Sequence, residues 1–193
     1  GLVEKFYCTA IGRYVFSGLP SEIISLPAKL TILLNRMPYL RNRKDIVSLT
    51  SQYIFDQLVS RKINLQTPGL FIGVMGNCCY TIKKLKAHSR KKIILYCMNS
   101  HINNLYSIQE EEDKRFSRGI KTHFIHNNMV KMMLNEYENA DYIFVLSKYA
   151  YENFLDNNIK RDKLRIVPIG VDLSIFDPPS EKKDDTFRIC FAG

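Results

Sequence analysis

Four short apolar runs, spaced so that a helix fits after each, constrain this chain more than any other feature. They fall at residues 69–76, 92–98, 142–146 and 164–167. Each is too short for a core helix, is rich in Ile, Val, Phe and Tyr, and sits between turn or polar residues. Such runs read as buried strands of a parallel sheet. The segments after them have helical periodicity. Residues 80–88 carry lysines on a wet side, 127–139 align Val130, Met133, Leu134 and Tyr137, and 148–157 form a short third helix. Upstream, Leu26, Leu30, Leu33, Leu34 and Met37 recur at helical spacing, with Pro27 suited to a first turn. Ile46, Leu49, Tyr53, Ile54 and Leu58 mark another helix, and residues 99–119 read as a loop followed by a helix. Strands alternating with helices predict an α/β fold, a Rossmann-like, doubly wound parallel sheet with flanking helices.

In such sheets ligands bind beyond the carboxyl ends of the strands. Four loops are selected by that rule: Gly76-Asn77, Asn99-Ser100-His101, Ser147-Lys148 and Gly170-Val171-Asp172. They come from distant parts of the chain, and the fold brings them to one edge.

Bulk properties narrow the field. The 193 residues are 46% hydrophobic, enough for a domain with its own core and unlike a disordered chain. No apolar run approaches the roughly 18 residues needed to cross a bilayer. The first residues, Gly1-Leu2-Val3-Glu4-Lys5, do not read as a signal peptide. A net charge of +9 points to anionic partners without choosing between nucleic acid, membrane and phosphorylated small molecules. Five cysteines without framework spacing (Cys8, Cys78, Cys79, Cys97, Cys190) read as reduced core thiols, and the adjacent Cys78-Cys79 is not a zinc pair.

The segment from Glu136 to Gly193 resembles the N-terminal half of a family 4 glycosyltransferase of the GT-B architecture. The resemblance rests on Glu136, on Ala140-Asp141 before an apolar strand ending in Ser147, and on Lys163. It continues through Pro168, Gly170, Val171, Asp172, Phe176, Pro178 and Gly193. It is strong over about residues 130–193 and covers residues 70–130 by layout only. It implies an acceptor-side Rossmann-like domain over 1–176, a linker over 177–186, and the start of a donor-binding domain at 187–193. The family's first strand and glycine-bearing loop are not recognisable. The nucleotide-sugar site belongs to the second domain, so this fragment alone is expected to be inactive. The implied activity is retaining transfer of a sugar from a nucleotide diphosphate to a saccharide or lipid-linked acceptor, with no metal required. The implied location is cytoplasmic, with peripheral attachment to the inner membrane face as an option.

Departure of the diphosphate needs cationic or N–H donors rather than a protein nucleophile. His101 is the catalytic candidate: it follows a strand, so it is expected at the cleft edge, where a neutral imidazole could meet a sugar hydroxyl. The alternative is a surface histidine. Ser147 is either a helix cap or a contact for an anion or hydroxyl, and Lys148 a solvated lysine or a nearby charge. Gly76, Asn77, Asn99 and Ser100 complete the candidate cleft, Gly76-Asn77 having an ordinary tight turn as its alternative. Gly170 is expected in a backbone conformation that other residues avoid, and with Asp172 it forms a candidate interdomain hinge. His123 and His126 are a weak metal pair, and the run Glu110 to Asp113 reads as a solvated helix face.

Two basic clusters, one around Arg36, Arg41, Arg43 and Lys44 and one from Lys83 to Lys92, remain. The first adjoins an amphipathic helix, the pattern of a helix lying on an anionic membrane; the alternative is a core-facing helix with a wet basic end. No nucleic-acid-binding motif is visible. The competing functional readings are a non-catalytic basic module for membrane or nucleic acid, and an epimerase-type nucleotide-sugar enzyme.

Overall fold

The computed structural model describes residues 4–8, 21–40, 43–116 and 125–170. Its centre is a four-stranded parallel sheet in the order β3 (Leu70–Val74), β4 (Lys92–Cys97), β5 (Tyr142–Val145), β6 (Leu164–Ile166). Leu70 pairs with Lys92, Ile94 with Tyr142 and Ile143 with Leu164. Each crossover steps one place in the same direction. Right-handed connections then lay the intervening helices on one face. These are α3 (Cys79–His88), α4 (Ile102–Phe116), α5 (Asn127–Asn139) and α6 (Lys148–Asp156). The chain is therefore α/β and Rossmann-like, as the strand spacing predicts.

The period of two along each strand decides which side chains meet those helices. Ile93, Leu95, Cys97, Ile143, Val145 and Leu164 pack against Ile82 and Leu85 of α3, Met133 and Tyr137 of α5, and Ala150 and Phe154 of α6. Cys8, Cys78, Cys79 and Cys97 are free and buried, in keeping with the reading as core thiols; Cys190 lies outside the described residues.

Two features differ from the expectation. Strand β3 is not buried on both faces: Leu70 and Ile72 are more than 60% exposed, because β3 is an edge of this sheet and no described helix covers its other face. A parallel pair, β1 (Phe6–Cys8) with β2 (Ser21–Ile23), precedes the sheet and, among the described residues, forms no ladder with it. Three-residue strands are too short to show an alternation. Between that pair and β3 lie α1 (Leu26–Asn35) and α2 (Lys44–Lys62), which pack together and join the main body where α2 meets α3. The expected linker and the strand at 187–193 lie outside the described residues.

Candidate functional site

The loops after β3, β4, β5 and β6 share the carboxyl edge of the parallel sheet, as the topology requires. Their interiors differ from one another.

Gly76 has φ +85°, a left-handed conformation that only glycine takes without strain. A Cβ there would stand 2.6 Å from the Met133 Cε. The turn is sealed from inside: Glu136, fully buried, accepts from the Gly76 N–H at 2.6 Å and the Cys78 N–H at 2.9 Å. Burial pushes the Glu136 carboxyl up to about 7, the two N–H donors pulling against it and the nearby Asp56 adding to the rise. Asp56 of α2 works beside it, accepting from the N–H groups of Tyr80 and Thr81 and from the Thr81 hydroxyl. Two carboxylates thus fill the amino end of α3, where an anionic ligand would otherwise bind. Asn77 bonds back to the Met75 carbonyl. The Gly76-Asn77 loop is the ordinary tight turn, filled by the protein itself.

His101 is not at the rim. It is 1% exposed, with its ring 4.8 Å from that of Tyr137 and 5.1 Å from that of Phe154. Its backbone N–H donates to Asn153 Oδ1, and its ring Nδ1 accepts from the Asn103 N–H. Burial lowers its pKa to about 4, so the ring is neutral at physiological pH. The surface and cleft-edge alternatives both give way to a core histidine at the head of α4. One side of it borders a recess of about 330 Å³ shared with Asn157, Lys160 and Lys163.

The open part of the edge is polar and mostly uncharged. Ser100 lies buried beneath it, its Oγ accepting from Asn104 Nδ2, which also lies 3.2 Å from the Tyr149 hydroxyl. Tyr149, Met98 and Asn99 are exposed around them. Ser147 caps α6, its Oγ accepting from the Ala150 N–H at 3.2 Å. Lys148 is solvated and pairs with Glu152 one turn on. Gly170 departs from the backbone expectation: its φ is not positive, and a Cβ would meet nothing within 4 Å. Asp172 lies outside the described residues. Asn104 and Tyr149 are the contributors that sequence reasoning missed. Each sits in the first turn of its helix, and they face each other across 45 residues of chain.

The residues that carry the family resemblance brace the scaffold. Asp141 accepts from the Ile93 N–H and from Lys86 Nζ, locking β5 to β4. Partial burial opposes its charge, but those two donors hold its carboxyl below the usual range. Lys163 Nζ donates to the Glu138 carbonyl at the end of α5. His126 caps α5 through Nδ1, and among the described residues no cluster of His, Cys, Asp and Glu could hold a metal. Within α4, Glu110 to Glu112 are exposed. No described helix is long and apolar enough to cross a membrane.

No protein-family model, curated protein or solved structure matches this chain.

Proposed function

We propose that this chain is the acceptor-side domain of a retaining glycosyltransferase that takes its sugar from a nucleotide diphosphate donor. The observation that carries this reading is the polar edge formed by Asn104, Ser147 and Tyr149 over the buried Ser100. Hydroxyls and amides there surround exposed Tyr149 and Met98, a lining that suits the hydroxyls and the apolar face of a sugar ring. The motif spacing from Glu136 to Asp172 supports it from the sequence side.

In this reading the chain orients the acceptor, and the groups that take up the diphosphate charge come from a donor domain. Asn104 and Tyr149 bond acceptor hydroxyls, with buried Ser100 holding Asn104 from behind, while the Ser147 cap keeps the amino end of α6 in place. His101 holds the head of α4 from below rather than touching the sugar. The acceptor is a saccharide or lipid-linked saccharide presented at an anionic membrane surface.

The test is an assay of UDP or GDP release, in protein extended to include the donor domain, with saccharide acceptors supplied. Asn104→Ala is expected to raise the acceptor KM at least tenfold with the donor KM unchanged. A donor-KM effect without an acceptor effect, or nucleotide-sugar binding to the 193-residue chain alone, would overturn the assignment. The second outcome favours an epimerase-type enzyme.

A further inference from the structure

A cavity of about 400 Å³ lies between α1 and α2, lined by Thr31, Asn35, Lys44, Val47, Ser48, Ser51 and Gln52. Its volume is in the range of small-molecule sites, roughly 300–1,000 Å³. Six of its seven lining side chains are polar, and the single charge is the Lys44 cation. Lys44 has no carboxylate partner among the described residues. The Thr31 and Ser51 hydroxyls donate to the Pro27 carbonyl, which leaves their lone pairs to accept.

Gln52 lines the cavity and reaches inward from it. The Gln52 amide oxygen is buried with no hydrogen-bond partner. Native proteins seldom leave such an acceptor unpaired. A half-turn about χ3 exchanges its oxygen and nitrogen ends, so the amide can offer either to a ligand. The same amide lies 3.8–3.9 Å from where a Gly76 Cβ would stand. One lining residue of the cavity thus reaches the turn after β3.

We infer that this cavity is a subsite for a sugar unit bearing an anionic group, a phosphate or a carboxylate, with Lys44 meeting the charge. Asn35, Ser48, Ser51 and Gln52 meet its hydroxyls. The inference rests on the acceptor-side reading and gives the acceptor a charge that the open polar edge does not require.

The test is a titration of the isotope-labelled chain followed through the side-chain amide resonances of Asn35 and Gln52. The probes are glucose 6-phosphate, glucuronate, glucose and inorganic phosphate. Glucose 6-phosphate and glucuronate are expected to shift both amides, with glucose and inorganic phosphate each binding at least tenfold more weakly. Lys44→Ala should remove the advantage over glucose, and Lys44→Arg should keep it. Gln52→Met should weaken binding while raising thermal stability, a pairing that a purely structural glutamine does not give. Inorganic phosphate matching glucose 6-phosphate, or shifts unchanged by Lys44→Ala, would overturn the inference, as would the absence of shifts at these amides. Shifts confined to the backbone of Ser100 and Ser147 would sink this subsite yet leave the acceptor-side reading standing.

Discussion

Glu136 and His101 are buried titratable residues whose effects on stability oppose each other. The Glu136 carboxyl is raised from 4.5 to about 7, so between those values the native state keeps a proton that the unfolded chain has lost. Its contribution is complete below pH 4.5 and is lost as pH rises toward 7. His101 is lowered from 6.5 to about 4, so the unfolded chain binds the proton first. Its contribution is present above pH 6.5 and is lost as pH falls toward 4. At about 1.4 kcal/mol per pH unit, each is worth about 3 kcal/mol across its window, with opposite sign. The wild type should therefore have a urea midpoint nearly flat between about pH 4.5 and 6.5. Glu136→Gln should unmask the histidine, so stability falls on acidification. His101→Asn, whose Oδ1 can replace Nδ1 as the acceptor for the Asn103 N–H, should unmask the carboxylate, so stability falls as pH rises. Asp56, also raised by burial, acts in the carboxylate's direction. Parallel pH profiles for both variants would show that the pair does not set the response. A separate outcome concerns Gly76: Gly76→Ala should cost about 1–3 kcal/mol in thermal unfolding. Met133→Ala should relieve only part of this, because the positive φ remains.

Helix α3 draws its cap from other elements. Its own N-cap residue, Cys78, makes no side-chain cap bond. The N–H groups of Tyr80 and Thr81 are taken by Asp56 of α2, and those of Gly76 and Cys78 by Glu136 of α5. Asp56→Ala should cost about 1–3 kcal/mol and speed amide exchange at Tyr80 and Thr81 more than at Ile94 in β4. Uniform acceleration would mean that Asp56 does not act through the cap. This cap also shows what the sequence could tell. Helices α5 and α6 were legible because their periodicity and the Ser147 cap are local signals. Strand β4 was legible because a strand buried on both faces has a continuous apolar run. The partners of Asp56, 24 and 25 residues away, have no local signature. Strand β3 is where the run predicts it, but its burial is not legible for the same reason: an apolar run says what could be buried, while its neighbours decide what is. Ser147 and the Asn99-Ser100 loop are at the expected edge. Asn104 and Tyr149 depend on helix phase and packing, and His101 passed from rim to core because three aromatic rings converge on one another.

The whole molecule combines a net charge of +9 with an apolar helix face turned outward. Along α1 and the turn after it, Leu26, Ile32, Leu33 and Met37 are 44–57% exposed, with the cations of Lys29 and Arg36 among them. The opposite side of α1, with Pro27 buried, packs on α2. An interfacial helix needs both an apolar face to enter the headgroup boundary and cations to meet anionic lipid, each worth about 1 kcal/mol near a charged surface. Charge alone gives binding that salt abolishes, and apolar area alone gives binding indifferent to lipid charge. This arrangement should therefore sediment with phosphatidylglycerol vesicles at low salt, bind phosphatidylcholine vesicles weakly, and retain a reduced fraction at high salt. Ile32→Asp should cut binding at least tenfold without altering the melting temperature, since Ile32 is more than half exposed. Lys29→Glu should act only at low salt. No sedimentation with anionic vesicles at low salt would end the membrane reading. The acceptor would then have to reach the polar edge from solution, and an unlipidated saccharide, rather than a lipid-linked one, would be the substrate to assay.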